Sequence, residues 1–453
     1  MGCTSAVETY ERLDRKIEEK ENYLELDKNK NIEKTVEENQ KPLKLEKEID
    51  QEIFNKEACI EIVSSLPKRE KTDLQSLKDL IKSKTKKSSS KEKAYIIFLW
   101  ICQNIDYDIE SYFAGRESDV KPDGTFKNGK TVCSGYSRLY RDISTYISLE
   151  VECVSCYAKG IGYQPGKKMK EINHEYNVIK LNNKWYPIES TWGAGHIDKN
   201  NNYKRELEEF YFLTDPEFLI YSHFPENPKW QLTKKKYTLE DFLKWPRFYK
   251  NFFKYGFKKY IPEEGEINLK NKNSQKFELF VENIMKKKLS CCIFLFEGNW
   301  LKKQLNSELI KRCEDKFEIN CLFNKKGKYK VLFYANDDIN ATLNYPIMDY
   351  IVNIDNNAKI ELKFPHTYKG AEAIEIIEPI YDNLKFGSNV KFKIKSELKT
   401  IIIIDSQWHY LNKNKEGFFE KTIKIQNKKG NYVVVGKKNE NGRCSYLYCY
   451  CVV

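Results

Sequence analysis

Histidine is scarce in this chain, with five in 453 residues, so His-dependent chemistry has few places to sit. Long apolar runs are missing. Nothing approaches the roughly 20 residues that a membrane-spanning helix requires, and no signal-peptide pattern opens the sequence. There is no Arg/Lys stripe interleaved with aromatics. The net charge of +12, scattered as lysines among glutamates and asparagines, therefore speaks for solubility and attraction to acidic surfaces, and against nucleic acid as a partner. No acidic loop of EF-hand type is present. A single CxxC, Cys153 to Cys156, lacks the two further nearby ligands that a structural zinc site needs, so no metal and no cofactor is expected. The thirteen cysteines are odd in number and dispersed, which excludes a disulfide framework and points to a reduced, cytoplasmic setting.

What is present is enough apolar material to fold. Apolar residues make up 40% and aromatics 14%, and the length predicts roughly two to four domains. Residues 1–56 are dominated by Glu, Lys, Asp and Asn and read as a charged tail with no packed core of its own. Its start, "MGCTSAVE", places Gly2 and Cys3 where myristate and palmitate would together give a stable membrane anchor. Ala6 departs from the usual Ser or Thr, and the alternative is an ordinary chain start without acylation.

Ordered structure is expected over 57–238. Thr72 and Gln75 form a capping-box pattern ahead of Leu74, Leu77 and Ile81 at helical spacing. After a solvated linker, "KTKKSSSKEK", the run "AYIIFLWICQNI" is apolar on all sides and reads as a buried helix. A Gly, Asp and Lys-rich loop (115–131) leads to "CSGYSRLYRDISTYI", with Leu139, Ile143 and Ile147 on one helical face. A strand over 151–158, "VECVSCYA", alternates as though its two thiols were buried, and a hairpin turning at Asn182-Asn183 follows. Helices followed by strands indicate an α+β domain.

The remainder differs in kind. Short alternating runs separated by turn residues predict two all-β immunoglobulin-like sandwiches, over 239–364 and 365–453. "NKKGKYKVLFY" at 324–334 returns as "NKKGNYVVVGK" at 427–437. "IFLFEGNW", ending at Trp300, returns as "IIIIDSQW", ending at Trp408, so the unit repeats after roughly a hundred residues. Binding or spacing is the expected task of these copies.

The candidate chemistry lies in the first folded region. Cys133 opens a helix, whose N-terminal dipole favours a thiolate, and Gly135 admits close neighbours. A two-residue turn at Asn182-Asn183 puts Glu189 diagonally across from His174, whereas a three-residue turn would place them on opposite faces. Trp185 and Trp192 stand either as cleft walls or as core.

The stretches Gly129 to Tyr136, Asn173-His174 with Asn177, and Trp185 to Gly195 resemble the transglutaminase-like fold, specifically the kyphoscoliosis peptidase family. Tyr107-Asp108 and "FYFLTDPEFLIYSHFPENPKWQL" at 210–232 extend the likeness, which covers roughly residues 90–235. The resemblance implies a papain/transglutaminase-like α+β domain with Cys133 as nucleophile, His174 as base and Glu189 as orienting acid. It also implies a cytoplasmic cysteine peptidase acting on protein substrates and associated with the cytoskeleton. The alternative is a catalytically weak or inactive scaffold that binds cytoskeletal or junctional proteins. Two positions depart from the family: Glu189 stands where Asp is usual, and Tyr176 where Trp is usual. A peptide N-glycanase reading would require paired CxxC motifs, which this chain does not have.

Overall fold

The computed structural model describes residues 54–453 apart from 117, 199, 299, 357–361, 369, 372–373, 398, 427–431 and 439–443. The charged tail, and with it the proposed acylation positions Gly2 and Cys3, lies outside the described residues. The chain divides into two compact units. One comprises the described residues up to Tyr163 together with Lys167–Leu243; the other comprises Gln164–Gly166 with Lys244–Val453. No helix among the described residues is long and apolar enough to cross a membrane.

The four longest helices of the first unit are α1 (Lys56–Ser65), α2 (Leu74–Lys84), α3 (Ser90–Asn104) and α4 (Cys133–Tyr146). The cap of α2 is Asp73, not Thr72, because the Asp73 carboxylate takes the Ser76 N–H at 2.8 Å and the Ser76 hydroxyl at 2.6 Å. A true capping box occurs at Ser89 and Glu92, inside the stretch expected to be linker, so α3 begins earlier than its apolar run. Every residue of α3 from Ala94 to Cys102 is buried, as its all-round apolarity requires.

The expected loop over 115–131 contains a helix, Pro122–Asn128, with proline in its first turn and Gly129 ending it at φ 67°. Lys130–Thr131 then pairs in parallel with Asp106–Tyr107. Gly and Pro here punctuate a short helix; read as composition, they suggested a loop.

Four strands follow: β1 (Glu150–Ala158), β2 (His174–Leu181), β3 (Lys184–Ile188) and, from far along the chain, β4 (His223–Pro225). Their spatial order is β3-β2-β1-β4, all antiparallel. Asn182 and Asn183 both take positive φ, 47° and 62°, and Leu181 faces Lys184, so the hairpin has the two-residue turn. A five-residue helix, α5 (Ser190–Ala194), follows β3 directly.

The main core lies between the helices and one side of this sheet, where Ile97, Phe98, Ile101, Leu139, Ile143, Ile179 and Ile188 are fully buried. A second apolar cluster gathers Val154, Cys156, Tyr176 and Val178 with Leu219. Polar ties fix α4 on the sheet. Asn177 of β2, itself buried, donates to the Ser137 carbonyl at 3.1 Å and the Glu152 carbonyl at 3.3 Å. The Tyr140 hydroxyl donates to the Ala94 carbonyl of α3 at 3.1 Å.

The second unit is nearly all strand. A four-stranded sheet faces a six-stranded one, with Phe277 of the former packed on Phe333 and Tyr350 of the latter at 5.3 and 4.9 Å between ring centres. Downstream, a four-stranded and a five-stranded sheet share a core that includes Phe392, Ile394, Ile402, Val433 and Val435. These are paired-sheet layers of immunoglobulin-like character.

The sequence repeat maps onto equivalent strands. Lys288–Glu297 pairs with Trp300–Gln304 and Gly327–Asn336, just as Thr400–Ile404 pairs with Gln407–Tyr410 and Tyr432–Lys438. Residues 427–431 of the second copy lie outside the described residues. Trp300 and Trp408 each sit at or just after the start of a hairpin's return strand and are exposed, so the repeated tryptophan marks a surface hairpin and not the sandwich core.

Candidate active site

Cys133 is the first residue of α4, preceded by Val132, whose side chain makes no capping hydrogen bond. The first N–H groups of a helix have no intrahelical acceptor, so they and the dipole face the region of the thiol. Gly135 is required here for a reason other than backbone approach: a Cβ would fall 1.9 Å from Thr131 Oγ1 and 2.7 Å from Thr125 Oγ1. Those two hydroxyls, from the strand and helix just upstream, set the height at which α4 begins.

His174 is the first residue of β2. Its strand entry is held by Asn173, whose side chain accepts from the Ala158 N–H at 2.7 Å and donates to the Ala158 carbonyl at 3.0 Å. The amide thus extends the ladder by one rung and fixes where the imidazole starts. Cys133 lies beside the imidazole and helps to stabilise its cation. Tyr107, of the short parallel pair, also faces Cys133; burial first, then the cysteine, pushes its hydroxyl above the usual tyrosine range.

Glu189 joins them from the end of β3. It is fully buried and serves as the N-cap of α5, its Oε1 accepting from the Thr191 N–H at 2.7 Å and the Trp192 N–H at 3.1 Å. Its Oε2 stands 2.6 Å from His174 Nε2. The side chain one methylene longer than Asp therefore reaches the imidazole by folding back over the start of its own helix. A buried carboxylate with two backbone donors and a cationic partner is stabilised as the anion.

The electrostatics follow from this contact. Burial opposes charge on His174, but the Glu189 carboxylate and then Cys133 outweigh it, and the imidazole is pushed up to about 10. Burial likewise opposes the Glu189 anion, and His174 with a second histidine, His223, holds it well below the usual carboxylate range. The pair is imidazolium and carboxylate at neutral pH.

His223, from β4, was not singled out by sequence reasoning. Its Nε2 lies 3.4 Å from Glu189 Oε2, and its ring centre is 5.1 Å from that of His174. Trp192 packs on both imidazoles, at 5.8 and 4.3 Å, making a dry wall of the site, while Trp185 packs edge-on against Trp230 at 5.0 Å. The only available signal for His223 was its place in the 210–232 stretch, since its partners are far away in sequence.

His174, Glu189 and His223 offer ligand atoms within 4.8 Å of one another. A zinc-type ion bonds its ligands at about 2.0–2.2 Å in a tetrahedron, which holds ligand atoms more than about 3 Å apart. The 2.6 Å contact is too short for that, and it fits a hydrogen-bonded pair. Among the described residues, Cys153 and Cys156 are free thiols, Cys156 buried and Cys153 half-buried.

Residues 76–190 match the family model of the transglutaminase-like superfamily. Kyphoscoliosis peptidase of Mus musculus is 34% identical over 185 residues, which is 40% of this chain and 28% of that protein. Hillarin of Drosophila melanogaster is 30% identical over 179 residues, 36% of this chain and 22% of that protein. The chain thus spans about a quarter of the length of these relatives. A solved TGase structure is similar with 17% identity over 37% of this chain and 40% of that chain, at a TM-score of 0.20, too low to bear on the fold. With the matched segment carrying both Cys133 and the His174–Glu189 contact, this chain carries a domain of the transglutaminase-like superfamily, related to the kyphoscoliosis peptidases.

Proposed function

We propose that this domain performs thiol-dependent acyl transfer on protein substrates, acting as a cysteine peptidase of kyphoscoliosis-peptidase type. The observation that carries the reading is the 2.6 Å contact between His174 Nε2 and buried Glu189 Oε2, on an imidazole that lies beside the thiol at the start of α4. With Nε2 committed to Glu189, Nδ1 is the nitrogen that serves Cys133.

The steps are those of a paired thiolate. Cys133 Sγ adds to a substrate carbonyl carbon, and the oxygen's developing charge faces the first N–H groups of α4, those of Cys133 and Ser134, since Gly135 and Tyr136 already donate to the Val132 carbonyl. The C–N bond breaks as His174 gives its proton to the leaving amine, leaving a thioester on Cys133. Water, deprotonated by His174, then releases the acid and restores the thiolate. Glu189 holds the imidazole in orientation and stabilises its cation throughout.

A lysine amine in place of water would give cross-linking, and attack on a glutamine side chain would give deamidation. The name of the kyphoscoliosis peptidases favours peptide hydrolysis. Association with the cytoskeleton, and a membrane anchor through Gly2 and Cys3, belong to the same proposal.

The test is to incubate a cell lysate with the protein and with Cys133→Ala, and to map new peptide N-termini, released ammonia and incorporation of a biotinylated amine. New N-termini that depend on Cys133 are expected. Ammonia release or amine incorporation without new N-termini would replace the peptidase reading with deamidation or cross-linking. Cys133-independent results in all three assays would leave the scaffold reading.

A further inference from the structure

His223 has no role in the mechanism above, yet it is only 1% exposed and its Nε2 points at the acid of the site. Among the described atoms this buried nitrogen makes no hydrogen bond of good geometry, and the acceptor that it faces is Glu189 Oε2, at 3.4 Å. We propose that His223 is a positioning residue, which donates from Nε2 to Glu189 Oε2 and holds the longer carboxylate on His174. The proposal deepens the acyl-transfer reading and rests on it.

The geometry supplies the reason. Two backbone N–H groups pin Oε1 of Glu189, which leaves the other oxygen free to swing about that anchor. The two imidazoles bracket Oε2, at 2.6 Å and 3.4 Å. Glutamate has one more rotatable bond than aspartate, so a second lateral partner confines a freedom that an aspartate at this position would not have.

Proton placement follows from the neighbours. A bare Nε2 lone pair would face a carboxylate oxygen, which is repulsive, so Nε2 carries the hydrogen. Nδ1 then takes the single hydrogen of Ser222 Oγ, 2.9 Å away on the preceding residue, in preference to the Leu219 carbonyl at 3.2 Å. The charged groups facing His223 are Glu189 and His174, with Cys133 beyond His174. Tyr176 on β2 and Cys156 on β1 are held neutral by burial. Burial first, then the His174 cation, resists a charge on His223 while Glu189 favours one, and the balance lies below the usual histidine range. His223 is therefore a neutral donor, distinct in character from the cationic His174.

The experiment is the pH profile of iodoacetamide alkylation at Cys133, read by peptide mass spectrometry in wild type, His223→Leu and His223→Gln, each alone and with Glu189→Asp. Leu removes the donor; Gln places an amide N–H near the Nε2 position. In His223→Leu the rate at pH 6 should fall about tenfold, since a displacement near 1 Å costs up to a hundredfold, while the rate at pH 9.5 stays within twofold. His223→Gln should recover at least half of the wild-type pH 6 rate. With the shorter Glu189→Asp, the Leu substitution should add nothing.

A wild-type pH 6 rate in His223→Leu would overturn the proposal, as would equal losses in the Leu and Gln variants, which would mark a packing role. A wild type with no fast reaction at pH 6 would overturn the acyl-transfer reading itself, and the His223 proposal with it. Should the Leu variant not fold, the ¹⁵N imidazole signals of the wild type decide the question. Neutral His223 protonated at Nε2 at pH 7 is expected, and the Nδ1–H tautomer would overturn the proposal.

Discussion

His174 Nε2 and Glu189 Oε2 meet at 2.6 Å although the carboxylate belongs to a glutamate, one methylene longer than an aspartate. The extra methylene is absorbed by capping: Glu189 turns back over the first turn of α5, where the Thr191 and Trp192 N–H groups hold its other oxygen. One side chain thus caps a helix and orients an imidazole. The consequences of that double task are measurable.

Glu189→Gln should destabilise the protein, by about 3 kcal/mol near pH 6, since one partner of a buried ion pair is lost. The pH dependence has a definite sign. His174 is raised from its unfolded value near 6.5 to about 10, so its contribution is complete below pH 6.5 and is lost as pH rises toward 10. Glu189 is lowered from its unfolded value near 4.5, so its contribution is present above that and is lost as pH falls further. Urea midpoints of wild type and Glu189→Gln should differ most between about pH 5 and 6.5 and converge on either side. A gap that widens from pH 7 to pH 10 would contradict the ion pair.

Asn177→Ala should cost about 1–3 kcal/mol, because it removes a buried amide that donates to the buried Ser137 carbonyl and to the part-buried Glu152 carbonyl. Asn177 joins α4 to β2, so the loss should also slow Cys133 alkylation at pH 6. Chemical denaturation and the alkylation rate check the two effects separately. Stability loss without a change in rate would mean that the tie does not position the thiol.

Gly135→Ala should be destabilising by about 1–3 kcal/mol, since its Cβ would lie 1.9 Å from Thr131 Oγ1 and the helix would have to lift. Thr131→Ala in the same chain should recover part of that loss, leaving the 2.7 Å contacts with Thr125 Oγ1 and with the Cβ of residue 131. Thermal melts of the three variants decide the point. No recovery in the double variant would place the strain elsewhere.

The site was legible where its determinants are local. Asn182-Asn183 prescribes a two-residue turn, the turn sets the hairpin register, and the register brings position 189 to the side of His174. The sandwich repeat was legible for the same reason, as equivalent hairpins recur with equivalent strand pairing. Capping was partly misread: Thr72 and Gln75 fit the pattern, but the neighbouring Asp73 is a stronger acceptor and took the role. The Ser89–Glu92 box was hidden in a lysine and serine run whose composition suggested solvent.

His223 was not legible by any local rule. Its relation to Glu189 arises only when β4 adds to the far edge of a sheet begun more than sixty residues earlier, beside β1. Glu189's capping of α5 was equally hidden, because the five-residue helix that it caps carries no amphipathic pattern.

The most direct test of the whole account is the rate of Cys133 alkylation against pH in wild type and in His174→Ala. An unpaired thiol titrates near 8.5, whereas a thiolate held by an imidazolium reacts well below that. Fast labelling at pH 6 that collapses in His174→Ala is the predicted result. An ordinary thiol curve, identical in both proteins, would contradict the paired thiolate on which the proposed chemistry depends.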